Sequence, residues 1–130
     1  MMKISKKTQY GLRAMICIAR EYGAKTPITV KSISEKEAIP FDFLEKIVSR
    51  LEKASLVKGR KGVQGGYMLS RPPAKISAKN IVSALEENDA PVNCRLCGRK
   101  SVCSSKNVWK KIENSLNSTL NSITLQSLLK

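Results

Sequence analysis

The order of apolar and polar positions divides the chain into short amphipathic segments separated by breaks. Between Ser5 and Tyr22, the residues Tyr10, Met15, Ile16, Ile18, Ala19 and Tyr22 recur at three- and four-residue steps without a proline, which predicts a helix. Lys3, Lys6, Lys7 and Arg13 gather near its beginning, where the helix dipole disfavours cations. An anion, such as a phosphate, is therefore expected to compensate them. Cys17 lies among Met15, Ile16, Ile18 and Ala19 and is expected to be a small core residue rather than a ligand.

After the breaker run Gly23 to Pro27, Thr29 is placed to cap a short helix whose Val30, Ile33 and Ala38 face inward. A break at Ile39-Pro40 leads into a second helix from Phe41 to about Ala54, with Leu44, Ile47, Val48 and Leu51 forming one apolar stripe. The opposite face carries Asp42, Lys46, Ser49 and Lys53, flanked by Phe43, Glu45 and Arg50. Two short helices joined by a tight break, the second with hydrogen-bonding side chains outside, match a helix-turn-helix whose second helix enters the major groove. Leu56-Val57-Lys58 and Tyr67-Met68-Leu69 then read as two strands, joined by the glycine-rich loop Gly59 to Gly66 with Arg60 and Lys61. A basic hairpin behind a recognition helix is a wing, able to lay its cations along phosphates or into the minor groove. The same loop lacks the Gly-Lys-Ser/Thr ending and following helix of a nucleotide phosphate cradle.

Pro72-Pro73 closes this module, and Ser77 caps a further helix carrying Ile81, Val82 and Leu85, ending in Glu86, Glu87 and Asp89 before Pro91. Beyond Cys103, the residues Val108, Trp109, Ile112, Leu116, Leu120 and Ile123 make a late apolar stripe on a helix rich in asparagine and serine. Such residues are mediocre helix formers, so packing must support this helix, and pairing of two copies is the expected use of its stripe. Residues Thr124 to Leu129 read as a closing turn that docks its leucines. The expected fold is mainly α with a small β-hairpin wing: a winged helix-turn-helix domain at 1–90, a cysteine-containing loop at 91–105, and a dimerisation helix with a C-terminal turn at 106–130.

Charge narrows the function. Twenty-four basic residues stand against 10 acidic ones in 130, a net +14, with no histidine. The excess is spread along the chain, and a field of that sign in a small protein favours a polyanion, with nucleic acid ahead of an anionic membrane and, given the helix-turn-helix and wing, double-stranded DNA as the expected partner. No apolar run approaches the roughly 20 residues of a membrane span, and no signal peptide is visible, so a cytoplasmic protein is expected. No nucleophile-base pair, carboxylate pair or nucleotide loop stands out, so an enzyme is not expected.

The remaining chemistry sits in Cys94-Arg95-Leu96-Cys97-Gly98-Arg99-Lys100-Ser101-Val102-Cys103, where three of the four cysteines fall. Clustered thiolates in a reducing compartment are ligands or redox sensors more often than structural disulfides. Read from the residues, an iron-sulfur cluster, zinc and a cluster-free thiol switch all remain open. A thiol-disulfide oxidoreductase lacks support, because Cys94-x-x-Cys97 opens no helix within a strand-helix-strand unit.

Taken together, these residues are similar to the IscR/NsrR-like family of winged-helix transcription regulators. The resemblance is carried by Tyr10-Gly11-Leu12-Arg13-Ala14-Met15, Phe43-Leu44-Glu45 with Arg50-Leu51, Gly65-Gly66-Tyr67-Met68-Leu69, the three cysteines, Trp109 and Thr124-Leu125. It implies a homodimer that binds promoter DNA through helix 41–54 and the wing, with Asp42, Phe43, Glu45 and Lys61 at the family's DNA-contact positions. It also implies an iron-sulfur cluster held by Cys94, Cys97 and Cys103. The chain departs from the family in the short spacing of Cys94 and Cys97, in Lys106 and Gln9 at positions where members place a fourth ligand, and in Lys61 for a wing arginine. The fourth ligand is left to a carboxylate, Cys17, a backbone or serine oxygen, or an exogenous group. The regulatory expectation is that the cysteine loop changes how the two reading heads are spaced, for which ~1 to 3 kcal/mol suffices.

Overall fold

A computed structural model describes residues 4–62, 65–86 and 105–129. Cys94, Cys97 and Cys103, with their loop, lie outside the described residues.

Helix α1 runs Lys6–Arg20 and starts where Ser5, in extended conformation, accepts the Thr8 N–H on its hydroxyl. Helix α2, Val30–Glu37, begins in the same way at Thr29, which accepts the Ser32 N–H. It ends because Ala38 turns left-handed at φ 54° and closes the helix with a hydrogen bond to the Ser34 carbonyl. Ala38 is consequently exposed, contrary to the periodicity, and Ile39 takes the inward place at 2% exposure. A reversal of backbone handedness breaks the phase on which a three- and four-residue pattern depends. Pro40 then opens α3, Phe41–Lys53, where Leu44, Ile47, Val48 and Leu51 are all buried. The expected stripe is thus the packed face.

The hairpin pairs β1, Val57–Arg60, with β2, Gly66–Leu69, in antiparallel register from Val57 opposite Leu69 to Arg60 opposite Gly66. Pairing therefore continues through Gly59 and Arg60, which the sequence placed in the loop. A third short piece joins the hairpin at Ile28, which exchanges hydrogen bonds with Tyr67 at 3.0 and 2.8 Å. Gly66 is required there: its φ is 147°, and a Cβ would lie 2.7 Å from the Ile28 carbonyl carbon and oxygen.

A 3-10 turn at Pro73–Lys75 leads to α4, Ala78–Leu85, opened by a capping box between Ser77 and Asn80. Helix α4 stops at Leu85, with Glu86 already extended, so Glu86 lies past the helix end. Helix α5, Lys106–Ser122, packs along α4. The short helix α6, Leu125–Leu128, then returns to the core. There the Ala78 N–H donates to the Ile123 carbonyl at 2.7 Å and the Leu125 N–H to the Ile76 carbonyl at 2.9 Å. Leu125 is fully buried and Leu129 packs on the core, whereas Leu128 remains 37% exposed. One continuous apolar cluster links α1, α2, α3, the hairpin, α4 and Leu125.

Candidate nucleic-acid interface

Burying one stripe of α3 turns its other residues outward. Asp42, Glu45, Lys46 and Ser49 are exposed and Arg50 is partly exposed. They form a mixed surface of donors and acceptors of the kind that reads base edges. Phe43 sits differently: it is half-buried and meets Tyr10 edge-to-face, with ring centroids 5.5 Å apart. Arg13 and Lys6 each place their charge 5.6 Å from the Tyr10 ring. Arg13 also pairs with the Glu37 carboxylate at 3.2 Å and donates to the Glu37 backbone carbonyl. One guanidinium thus joins α1 to the end of α2 beside the aromatic pair that braces α3.

Arg60 lies on β1 and Lys61 just beyond it, both exposed. Between the wing and the end of α3 is a cleft of about 290 Å³ lined by Glu52, Gly59, Arg60, Lys61, Gly66 and Tyr67. Glu52 reaches across it and accepts the Gly59 N–H at 3.2 Å. Burial, followed by the charges of Glu52 and Glu45, pushes the Tyr67 phenol above its ordinary value, so it stays a neutral donor. Sequence reasoning missed Glu52 and Tyr67. Their roles depend on the approach of wing to helix, and only the acidic interruption in a basic region hinted at Glu52.

The anion expected at the start of α1 is supplied by the chain itself. One oxygen of Glu86 accepts hydrogen bonds from the Ser5 N–H at 3.0 Å, the Ser5 hydroxyl at 2.7 Å and the Thr8 hydroxyl at 2.5 Å. Thr8 is 3% exposed, and this carboxylate satisfies its hydroxyl. Burial tends to raise the Glu86 pKa, but the bonds from Thr8 and Ser5, with the charge of Lys7, outweigh it and hold the group below its ordinary value.

Cys17 is 4% exposed in the core, and burial, reinforced by Glu37, pushes its thiol pKa up. Cys17 is thus a small core residue, as its apolar neighbours in sequence led one to expect. Among the described residues no group of three metal-ligating side chains converges, and no helix is long and apolar enough to cross a membrane.

A family model described as Rrf2, iron-dependent transcriptional regulator, matches residues 4–130. The chain is 32% identical over 133 residues to protein rrf2 of Nitratidesulfovibrio vulgaris, covering 99% of this chain and 88% of that protein. Among solved structures it is similar to IscR of T. potens, with a TM-score of 0.80 and 35% identity over 97% of this chain and 85% of that one. It is also similar to CymR, the global cysteine regulator of B. subtilis, with a TM-score of 0.84 and 35% identity over 98% of this chain and 96% of that one. With the winged-helix fold and a family match along nearly the whole chain, the protein belongs to the Rrf2 family of transcriptional regulators.

Proposed function

We propose that this DNA-binding regulator acts in the cytoplasm as a homodimer, with α3 and the wing on promoter DNA and the cysteine segment controlling affinity. Asp42, Glu45, Lys46, Ser49 and Arg50 read or position on the major-groove side, with Phe43 setting the pitch of the helix against Tyr10. Arg60 and Lys61 hold the flanking backbone. The observation that carries this reading is the two-faced character of α3: a fully buried stripe against a polar outer face, with the basic wing beside it.

Dimerisation is supported by α5. None of its 17 residues is buried within one protomer, and Val108 and Leu116 are 52% and 40% exposed. An apolar stripe on a helix of poor intrinsic propensity is stabilised when a second copy covers it.

For the cysteine segment the proposed occupant is an iron-sulfur cluster held by Cys94, Cys97 and Cys103. Three thiols within ten residues, and no imidazole anywhere, form a donor set suited to soft iron chemistry. When bound, such a group supplies a redox- or iron-responsive charge; the chain supplies the thiolates and the elements that the loop joins. A second reading, a cluster-free thiol switch, is favoured by the likeness to a global cysteine regulator at the same identity. Anaerobic purification with visible absorption and counts of iron, sulfide and zinc decides between them. Visible bands with matching iron and sulfide are expected. A colourless protein that resists reconstitution yet changes DNA affinity on thiol oxidation would replace the cluster with the switch.

A further inference from the structure

We propose that Glu86 is a positioning residue coupling the cysteine segment to the DNA-reading helix. The inference rests on the reading that this segment regulates DNA binding, and it names the connection. Glu86 lies eight positions ahead of Cys94 in the sequence. Its carboxylate is fastened to the first turn of α1 by three donors on one oxygen, two from Ser5 and one from Thr8. Ser5 is also the N-cap of α1, because its hydroxyl oxygen accepts the Thr8 N–H at 3.2 Å. A displacement of Glu86 therefore acts on the residue that starts the helix.

A second contact lies one residue earlier. Leu85, fully buried, sits in a notch of α1 at Gly11, where a Cβ would come 2.1 Å from Leu85 Cδ1. The same notch is 3.4 Å from Ile47 Cγ2, and Ile47 belongs to the buried stripe of α3. The end of α4 thus touches α1 twice, through a polar clamp at its first turn and an apolar contact one helical turn further on. At the second contact, α1 bears directly on α3. Tyr10, adjacent to Gly11, braces Phe43 at the start of the same helix. Close packing transmits a shift of Leu85-Glu86 as a change in the seating of α3 rather than absorbing it. The quantity that reports this relay is the coupling between the state of the cysteines and DNA affinity.

The experiment uses the full chain and a DNA duplex selected by the wild-type protein from a random pool. Its dissociation constant is measured with the cysteines as free thiols and after treatment with ferrous iron and sulfide, or with a thiol oxidant. The ratio between the states is expected to be about 5- to 150-fold for the wild type. Glu86→Ala is expected to bring that ratio to within about twofold of one, while retaining DNA binding in at least one state. Glu86→Gln, which keeps an acceptor oxygen, should recover part of the ratio. Ser5→Ala combined with Thr8→Val removes the side-chain donors without touching α4 and should reproduce the loss. A purely structural role would lower the melting temperature and both affinities together while leaving the ratio intact, and that result overturns the proposal. A wild-type ratio of one under every treatment removes the regulatory reading itself, and the relay with it. A normal wild-type ratio preserved in well-folded Glu86→Ala, or in the donor variants should Glu86→Ala not fold, removes the relay alone.

Discussion

Gly11 shows how much one missing Cβ can govern. Three helices converge on it, because α1 lets Leu85 of α4 and Ile47 of α3 come close at the same point. Gly11→Ala forces the fully buried Leu85 out of place, and overpacking of this kind costs about 1 to 3 kcal/mol. Thermal melting should show that loss. Gly23→Ala, with nothing within 4 Å of its Cβ, should leave the melt unchanged. Equal melts for the two variants would mean that Leu85 repacks freely. Glu86 makes a separate prediction. Its pKa is depressed in the folded state, so the carboxylate contributes stability in full above the unfolded value near 4.5, and that contribution is lost as pH falls through the lower folded value. The acid limb of the stability curve should therefore be shallower in Glu86→Gln than in the wild type, measured by denaturant unfolding between neutral pH and acid. Parallel curves would exclude this carboxylate as a source of the acid sensitivity.

At the scale of elements, α3 was legible because Leu44, Ile47, Val48 and Leu51 repeat with the period of the helix that buries them. The wing was legible in outline from its glycines and cations, but its paired length was not. Gly59 and Arg60 resemble a loop in sequence, and only the register opposite Tyr67 and Gly66 makes them strand. Ala38 misled for a local reason, since its left-handed turn moves the chain out of helical phase. The polar fastenings were hidden because they join residues far apart in sequence without any periodic signal. Glu86 and Thr8 are 78 positions apart, and only a surplus of cations at the start of α1 pointed to a missing anion. Glu52 holds Gly59 only seven positions along, but this contact joins the end of a helix to a strand and so gives no periodic signal either. Glu52→Ala should free the wing from α3 and weaken DNA binding several-fold, although Glu52 is itself acidic. Removing a negative charge near DNA would by itself strengthen binding, so the sign of the change separates wing placement from simple electrostatics. Lys61→Ala is expected to weaken binding to all sequences and flatten the salt dependence, whereas Glu45→Ala should chiefly alter sequence preference. Equal losses by both variants on selected and random duplexes would place the groove contacts elsewhere.

At the scale of the molecule, the arrangement of α5 bears on the proposed pairing of two copies. Its C-terminal end is fixed to the reading domain through the Ala78–Ile123 and Leu125–Ile76 hydrogen bonds and the burial of Leu125. A rotation of α5 against its proposed partner would therefore act on the start of α4 and on the core around Leu125 rather than be lost in a loose linker. The apolar stripe of Val108, Trp109, Ile112, Leu116 and Leu120 is left half-covered in one protomer, and covering a leucine completely is worth about 1.5 to 3 kcal/mol. A charge at Leu116 on both copies removes that gain and adds the cost of an unpaired carboxylate in an apolar seam. Leu116→Asp should therefore sediment as a monomer at concentrations where the wild type is a dimer, with the helical content of residues 6–85 retained. Its DNA affinity should fall further on duplexes carrying two half-sites than on those carrying one, because a linked second head contributes through its effective concentration only where a second site exists. If Leu116→Asp sediments as the wild type does, the dimer seam lies away from α5. If it becomes monomeric yet retains its preference for paired half-sites, the two heads are held in register by the DNA rather than by this helix.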